Sequence, residues 1–285
     1  MLLSAKPYVE HKIKELKEQV DKLKIKPTLA LIRVGNDQAS IKYVNNKIKR
    51  CEEVGIKSQV HELPEHVEQK DVAKLIEKLN NDKTVTGILL QLPLPSHLDE
   101  HYLTNLIKAS KDVDGFTITN TGKLSLGMDC NVACTPKGII DLLKFYDIPI
   151  EGRDVLIISR SNIVGKPLVQ LFLNENATVT VAHSKTKGLT AKVWHSDIVV
   201  TAVGKADFLS DRDFANGTTI VDVSINFNEE GKMCGDVTKA DVDILQRRCN
   251  ITPVPGGIGQ CTVIALLENT IKIQQINEGE MFYEF

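Results

Sequence analysis

The sequence predicts an α/β fold made of two α/β domains, and three observations carry that prediction. In both halves, apolar runs of strand length alternate with stretches of helical period, the βαβ rhythm of a parallel sheet with helices on its faces. The chain has 285 residues, 42% hydrophobic and 25% charged, enough for two cores of ordinary size. Near its middle, Thr135-Pro136 places a hydroxyl cap before a proline at a first helical position, a strong start signal where a domain boundary is expected.

Taken in order, residues 7–23 read as an amphipathic helix. Ile13, Leu16, Val20 and Leu23 form its buried stripe, and its lysines alternate with Glu10, Glu15, Glu18 and Asp21 on a solvated face. A strand over 29–34, a helix over 39–54 closed by Gly55, a strand over 58–63, a helix over 68–79 and a strand over 85–92 complete the first half. The second half offers strands over 154–158, 178–181, 197–203 and 219–223, with a helix over 165–173 after the first of them. A final helix over 263–276 is placed with the first domain, so the expected division is 1–137 with 262–285 against 138–261.

Composition excludes more than it assigns. A formal net charge of −2 gives no electrostatic case for nucleic acid or an anionic membrane as partner. No apolar core of signal-peptide length follows Met1, and no later run approaches transmembrane length. The six cysteines are scattered without a C-x-x-C pair and read as reduced thiols of a cytoplasmic protein. Cys130 with Cys134, or His97 with His101, could begin a metal set, but nothing nearby completes either, so no metal is expected.

Several segments carry chemistry. Pro253-Val254-Pro255-Gly256-Gly257-Ile258-Gly259 is dense in residues that fix φ or remove Cβ, which lets bare backbone approach a ligand; a tight turn is the plainer reading. The strand over 154–158 runs through Ser159-Arg160-Ser161 to Gly165 and a helix, the arrangement that puts an anion at a helix N-terminus, although only the last glycine of G-x-G-x-x-G is present. After the next strand, His183-Ser184-Lys185 stands where NAD-binding folds usually place an acid, so Arg160, Ser184 and Lys185 favour the 2′-phosphate of NADP. Tyr43 and Lys47 are four apart on one helix face, at the margin of a stripe formed by Ile41, Val44, Ile48 and Cys51. A tyrosine packed on a lysine stem would look the same. Gln91 precedes Pro93-Leu94-Pro95 at the carboxyl end of its strand, and Asp112 and Asp114 share a turn.

Together, Gly35 to Lys47 (G-N-D-x-A-S-x-x-Y-V-x-x-K), Gly87 to Pro95 (G-I-L-L-Q-L-P-L-P), Lys111 to Phe116 (K-D-V-D-G-F), Cys134 to Gly138 (C-T-P-K-G), Arg160 to Pro167 (R-S-N-I-V-G-K-P), His183 to Thr186 (H-S-K-T) and Thr252 to Gly259 (T-P-V-P-G-G-I-G) form a series. It resembles, in order and over nearly the whole chain, the bifunctional methylenetetrahydrofolate dehydrogenase/cyclohydrolase family. The resemblance implies a folate-binding catalytic domain, a Rossmann-like NADP-binding domain and an active-site cleft between them. It also implies tetrahydrofolate one-carbon derivatives as substrates, NADP as cofactor and a homodimer. By the same resemblance Lys47 falls on the catalytic lysine, Tyr43 on its helper, Gln91 on the lysine-tuning glutamine and Asp114 on the pterin-binding aspartate. Ser159, Arg160, Ser161, Ser184 and Ile225 fall on cofactor contacts, and Pro255, Gly256 and Gly257 on the substrate loop.

The chain departs from the family pattern at four places. Ser159 replaces the first loop glycine, Ser224 the glycine before Ile225-Asn226, and Gln260-Cys261 the usual Pro-Met, while the leading Leu-Asp-Gly-Lys segment is absent. Alternative readings of the residues are another two-domain NADP enzyme of the shikimate dehydrogenase type, in which Gln91 and the proline-glycine loop have no task, or a folate-binding protein lacking one activity.

Overall fold

The computed structural model describes residues 1–228 and 230–279; the last part of the expected return segment, 280–285, lies outside the described residues. The chain divides into two compact units, His11–Cys134 with the segment from Val263 onward, and Met1–Glu10 with Thr135–Thr262. The first ten residues therefore belong with the second half. They are drawn there by backbone bonds from Leu3 N–H to Ile251 O (2.8 Å) and from Ala5 N–H to Gly256 O (2.9 Å).

In chain order the first unit is built from α1 (Ala5–Lys22, its later turns), β1 (Thr28–Val34), α2 (Gln38–Val54), β2 (Lys57–Leu63), α3 (Gln69–Asn81), β3 (Gly87–Leu90), α4 (Glu100–Leu106) and α5 (Ile118–Ser125). Its sheet has the order β2-β1-β3, all parallel, with Leu29 opposite both Ser58 and Gly87. β1 is buried along its whole length, as a central parallel strand covered on both faces should be. One face packs Ala30, Ile32, Ile88 and Leu90 against Val72, Ile76 and Leu79 of α3. α2 starts on a side-chain cap, Asp37 accepting from Ser40 N–H. It stops at Gly55 in the left-handed region (φ 86°), whose N–H closes on Cys51 O and Glu52 O. β3 is shorter than the expected 85–92 because pairing with β1 ends at Gln91 N–H to Ile32 O (2.8 Å), ahead of the cis Leu92-Pro93 bond.

The second unit follows with α6 (Cys134–Phe145), β4 (Asp154–Ile158), α7 (Gly165–Asn174), β5 (Thr178–Ala182), α8 (Leu189–Trp194), β6 (Ile198–Thr201), β7 (Thr219–Asp222), the hairpin β8 (Asn226–Phe227) and β9 (Met233–Cys234), α9 (Val242–Leu245), β10 (Asn250–Ile251) and the start of α10 (Ile258–Asn277). Five parallel strands lie in the order β10-β7-β6-β4-β5. Counted from β4, that is the doubly wound order 2-1-3-4-5, whose switch point falls between β4 and β6, where open α/β sheets bind ligands. Its core joins Leu156, Ile158, Val199 and Ile220 to Phe214, Leu245 and Ile251.

Two helix starts differ from the sequence reading. α6 opens at Cys134, so Thr135 lies inside the helix, where its Oγ1 meets Thr262 Oγ1 at 3.0 Å instead of capping. α10 begins at Ile258, five residues before the expected 263, so Gly259 is helical; of the three loop glycines only Gly256 has positive φ (106°). Gly257 is needed for a different reason, since a Cβ there would sit 2.5 Å from Pro253 O.

Candidate active site

In the first unit α2 delivers Tyr43 and Lys47, and the carboxyl end of β3 delivers Gln91. Lys47 is not marginal to the helix stripe as its spacing suggests. Its side chain is buried at 5% exposure, the depth of the neighbouring Val44 and Cys51. Its Nζ donates to Gln91 Oε1 (3.1 Å) and lies 4.8 Å from the centre of the Tyr43 ring, a cation–π contact. Gln91 is fixed in turn by Nε2 donating to Leu92 O at 2.6 Å, which turns its oxygen toward the amine.

Burial pulls the Lys47 amine below its ordinary range, opposed chiefly by the Asp114 carboxylate. Asp114 keeps some solvent access, yet the protein around it pushes its carboxyl up, with Lys47 pulling it back down and Asp112 adding to the rise. The structure thus brings Tyr43, Lys47, Gln91 and Asp114 into one electrostatic group.

The turn that presents Asp114 separates the two aspartates by role. Asp112 is 1% exposed, and its carboxylate accepts from Gly115 N–H (2.8 Å), Thr117 N–H (2.8 Å) and Asn120 Nδ2 (3.0 Å). Gly115 takes φ 70°, and a Cβ on it would meet Val132 C at 2.6 Å, so only glycine fits. Asn269 of α10, which the sequence did not single out, donates Nδ2 to Val113 O (2.8 Å) and Val132 O (2.9 Å) and clamps this turn. Cys134 packs beside the pair, its buried thiol pushed well up by desolvation and by Asp114. His97 precedes α4 and sets Nε2 on Val67 O at 3.0 Å, and among the described residues no group of three or more His, Cys, Asp or Glu side chains is placed to hold a metal ion.

The remaining candidates belong to the second unit. Ser159, Arg160 and Ser161 follow β4, while Ser184 follows β5, and the parallel register sets Ile158 beside Ala182. Arg160 and Ser184 are each two residues past that pair, both exposed, at one edge of adjacent strands. The donor set suits a phosphate carried on a ribose, with a guanidinium and a hydroxyl present and no acid at the end of β5. The turn into α7 is tight: a Cβ at Gly165 would lie 2.5 Å from Ser159 O. Its first donors are internally engaged, since Ser161 Oγ accepts from Val164 N–H (3.2 Å) and Gly165 N–H (3.3 Å) and Ser161 O from Lys166 N–H (3.0 Å). The expected anion site at that helix N-terminus therefore has fewer open donors than the sequence suggests. Ile225, after β7, is 53% exposed, and Pro255, Gly256 and Gly257 form the loop before α10, entered through a cis Val254-Pro255 bond.

A doubly wound parallel sheet with a nucleotide-type edge, joined in one chain to a unit holding a buried lysine, defines a two-unit α/β enzyme of the dinucleotide-using class. Comparison with known proteins makes this specific. Residues 3–114 match the tetrahydrofolate dehydrogenase/cyclohydrolase catalytic domain, and residues 133–278 match the NAD(P)-binding domain of the same family. The chain is 48% identical to the bifunctional protein FolD of Listeria innocua over 268 residues, 94% of this chain and 93% of that one. A crystal structure of the bifunctional FolD enzyme from Campylobacter jejuni superposes with TM-score 0.94 at 44% identity, covering 97% of this chain and 99% of that one. A Trypanosoma brucei FolD complexed with NADP cofactor and inhibitor superposes with TM-score 0.91 at 32% identity over 98% of each chain. The chain belongs to the tetrahydrofolate dehydrogenase/cyclohydrolase family.

Proposed function

We propose that this chain oxidises 5,10-methylenetetrahydrofolate to 5,10-methenyltetrahydrofolate with NADP and hydrolyses that product to 10-formyltetrahydrofolate. The observation that carries the reading is the buried Lys47 amine, bonded to Gln91 and balanced by Asp114, in a chain of this family. The first step removes a hydride from the one-carbon bridge, so the protein's task there is positioning. Bound NADP supplies the hydride acceptor.

Hydrolysis adds water to the methenyl carbon and breaks one of its C–N bonds, so a proton leaves the water and one reaches the departing nitrogen. Lys47 serves this transfer because burial favours its neutral form. Gln91 holds the amine without neutralising its function, and Tyr43 supports its charged form through the ring face. Asp114 accepts from the amino-pyrimidinone edge of the pterin. On this reading the unit from His11 to Cys134, with the segment from Val263, carries the folate chemistry, and the other unit carries NADP.

Arg160 and Ser184 hold the 2′-phosphate, while Ser159, Ser161 and Ile225 line the dinucleotide. A homodimer is supported by β2, an edge strand with Val60 40% exposed and an outer backbone ladder without a strand partner among the described residues. Cytoplasmic residence is supported by six free, buried cysteines, with burial pushing the Cys51 and Cys130 thiols up to about 11 and Cys261 up to about 12. No helix among the described residues is long and apolar enough to cross a membrane.

The test is a spectrophotometric assay with methylenetetrahydrofolate and each of NADP and NAD, followed by hydrolysis of added methenyltetrahydrofolate. NADP-dependent oxidation and methenyl hydrolysis by the same preparation are expected. Failure of either activity removes that half of the proposal, and an NAD preference removes the 2′-phosphate assignment.

A further inference from the structure

The second unit contains a carboxylate that neither the sequence motifs nor the reaction accounts for. Asp236, just after β9, is 0% exposed and has six donors within hydrogen-bond distance, three on each oxygen. Oδ2 accepts from Thr201 Oγ1 (2.7 Å), Val203 N–H (2.8 Å) and Ser224 Oγ (2.9 Å). Oδ1 accepts from Lys205 N–H (2.9 Å), Gly204 N–H (3.1 Å) and Asn226 Nδ2 (3.1 Å). Three consecutive backbone N–H groups and three neutral side chains thus surround a buried carboxyl group with no cation among them.

The donors come from two places. Val203, Gly204 and Lys205 follow β6, which flanks the switch point of the sheet; Ser224 and Asn226 follow β7 and bracket Ile225. One carboxylate therefore joins the two loops at the carboxyl edge and leaves Val203 and Ile225 41% and 53% exposed. Asp236 is itself anchored from behind. Its N–H and that of Val237 donate to the two oxygens of Asp222 (3.0 and 2.9 Å), and Gly235 has no room for a Cβ against that same carboxylate. Ser224, which stands where the family pattern has glycine, adds a link glycine could not supply: its Oγ accepts from Gly204 N–H (3.0 Å) while donating to Asp236.

We propose that Asp236 is a positioning residue for the dinucleotide, its buried carboxylate fixing the loops after β6 and β7 as one rigid edge on which the cofactor seats, with Ser224 as the second tie between them. The proposal rests on the NADP reading above. A purely stabilising role would depress cyclohydrolysis as well, which draws on Lys47, Gln91 and Asp114 of the other unit and requires no dinucleotide.

Asp236→Asn is the decisive variant. It keeps the shape but turns one acceptor oxygen into a donor that must face backbone N–H groups unable to rotate away: Val203 N–H on one side, or Gly204 and Lys205 N–H on the other. NADP affinity, measured by calorimetry on the full chain, should weaken about tenfold or more, with a matching rise in KM for NADP. Methenyl hydrolysis should stay within about twofold of wild type. Ser224→Ala should weaken NADP by a smaller factor in the same direction, and Thr201→Ser, which keeps the hydroxyl, should restore what Thr201→Val loses. Unchanged NADP affinity in Asp236→Asn, or a parallel loss of both activities in a folded protein, overturns the proposal. If Asp236→Asn does not fold, Ser224→Ala decides: weaker NADP with intact hydrolysis supports the positioning role, and unchanged NADP overturns it. Wild-type protein that binds NADP but turns over neither folate defeats the functional reading and leaves the affinity comparison to judge Asp236; failure to bind NADP defeats both.

Discussion

Replacing Gln91 by glutamate tests whether Lys47 works as a neutral amine. The variant is close to isosteric and puts a carboxylate where an amide oxygen now accepts from Nζ at 3.1 Å. At an effective dielectric constant near 20, unit charges about 4 Å apart interact by about 4 kcal/mol. Gln91 is half-buried, so screening leaves about 1.5–3 kcal/mol in favour of the ammonium. That is a factor of about 10–150 in the neutral fraction wherever the amine is mostly charged. Burial lowers Lys47 in the native protein, so activity that needs the neutral amine rises with pH through its lowered value; the new carboxylate raises that value and moves the limb toward alkaline pH. Hydrolysis of methenyltetrahydrofolate, followed by loss of its absorbance and corrected for the uncatalysed rate, should fall about 10–100-fold near neutrality and recover as pH rises. Gln91→Met is the opposing control, since it removes the acceptor without adding charge and should not shift the limb upward. A Gln91→Glu profile depressed equally at every pH, or unmoved, would falsify the neutral-amine role.

Lys47→Met keeps the stem and removes the amine, so methenyl hydrolysis should collapse; undiminished hydrolysis takes Lys47 out of the reaction. The same change removes the charge that offsets burial of Asp114, so that carboxyl rises further, and stability present in acid is lost as pH climbs through its raised value. Thermal unfolding followed upward in pH from the ordinary carboxylate range reads this as a steeper decline than in wild type. Arg160→Ala should weaken NADP by about 1.5–3 kcal/mol and leave NAD nearly unchanged, and equal losses in titrations with both cofactors would refute the 2′-phosphate contact. Gln260→Pro, which restores the family's proline, gains about 0.4–1 kcal/mol from the unfolded chain but loses the Gln260 N–H bond to Gly257 O at 3.1 Å, worth about 0.5–1.5 kcal/mol. Unfolding in denaturant should show a net change within about 1 kcal/mol and turnover should be unaltered; a loss above about 2 kcal/mol would mean the proline does not fit the first turn of α10.

Where the sequence pattern is set by local physics it reads correctly. β1 and β4 are largely apolar runs, and the structure buries all of β1 and residues 155–158 of β4 as central strands. Gly55 closes α2 in the left-handed conformation that glycine adopts at little cost. The pattern reads poorly where an apolar run and its pairing have different lengths. Residues 85–92 and 197–203 are apolar beyond their sheet partners, so β3 and β6 end at Leu90 and Thr201. Short helices such as α4 and α8, with six or seven residues, carry too few turns for a period to show. The start of α10 is hidden in the sequence because glycine reads as loop, whereas Gly259 is helical with Ile225 Cδ1 3.9 Å from where its Cβ would be.

The site divides along a similar line. Tyr43 and Lys47 are legible as a helix-face pair because four residues is one turn, but the burial of Lys47 depends on what packs over that face, which periodicity does not encode. Polar hubs are less legible still, because a buried carboxylate or amide is defined by its partners, and those lie far away in sequence. Asn269 reaches back 156 residues to Val113, and Asp236 reaches 35 to Thr201. Ser224 illustrates the consequence. Judged by sequence it is only a missing glycine beside a cofactor contact; placed in the fold it is the hydroxyl through which Gly204 and Asp236 are joined. A departure from a family pattern therefore has a physical sign only once its neighbours are known. Here the neighbours are a backbone donor and a buried acceptor, both of which a serine satisfies at once.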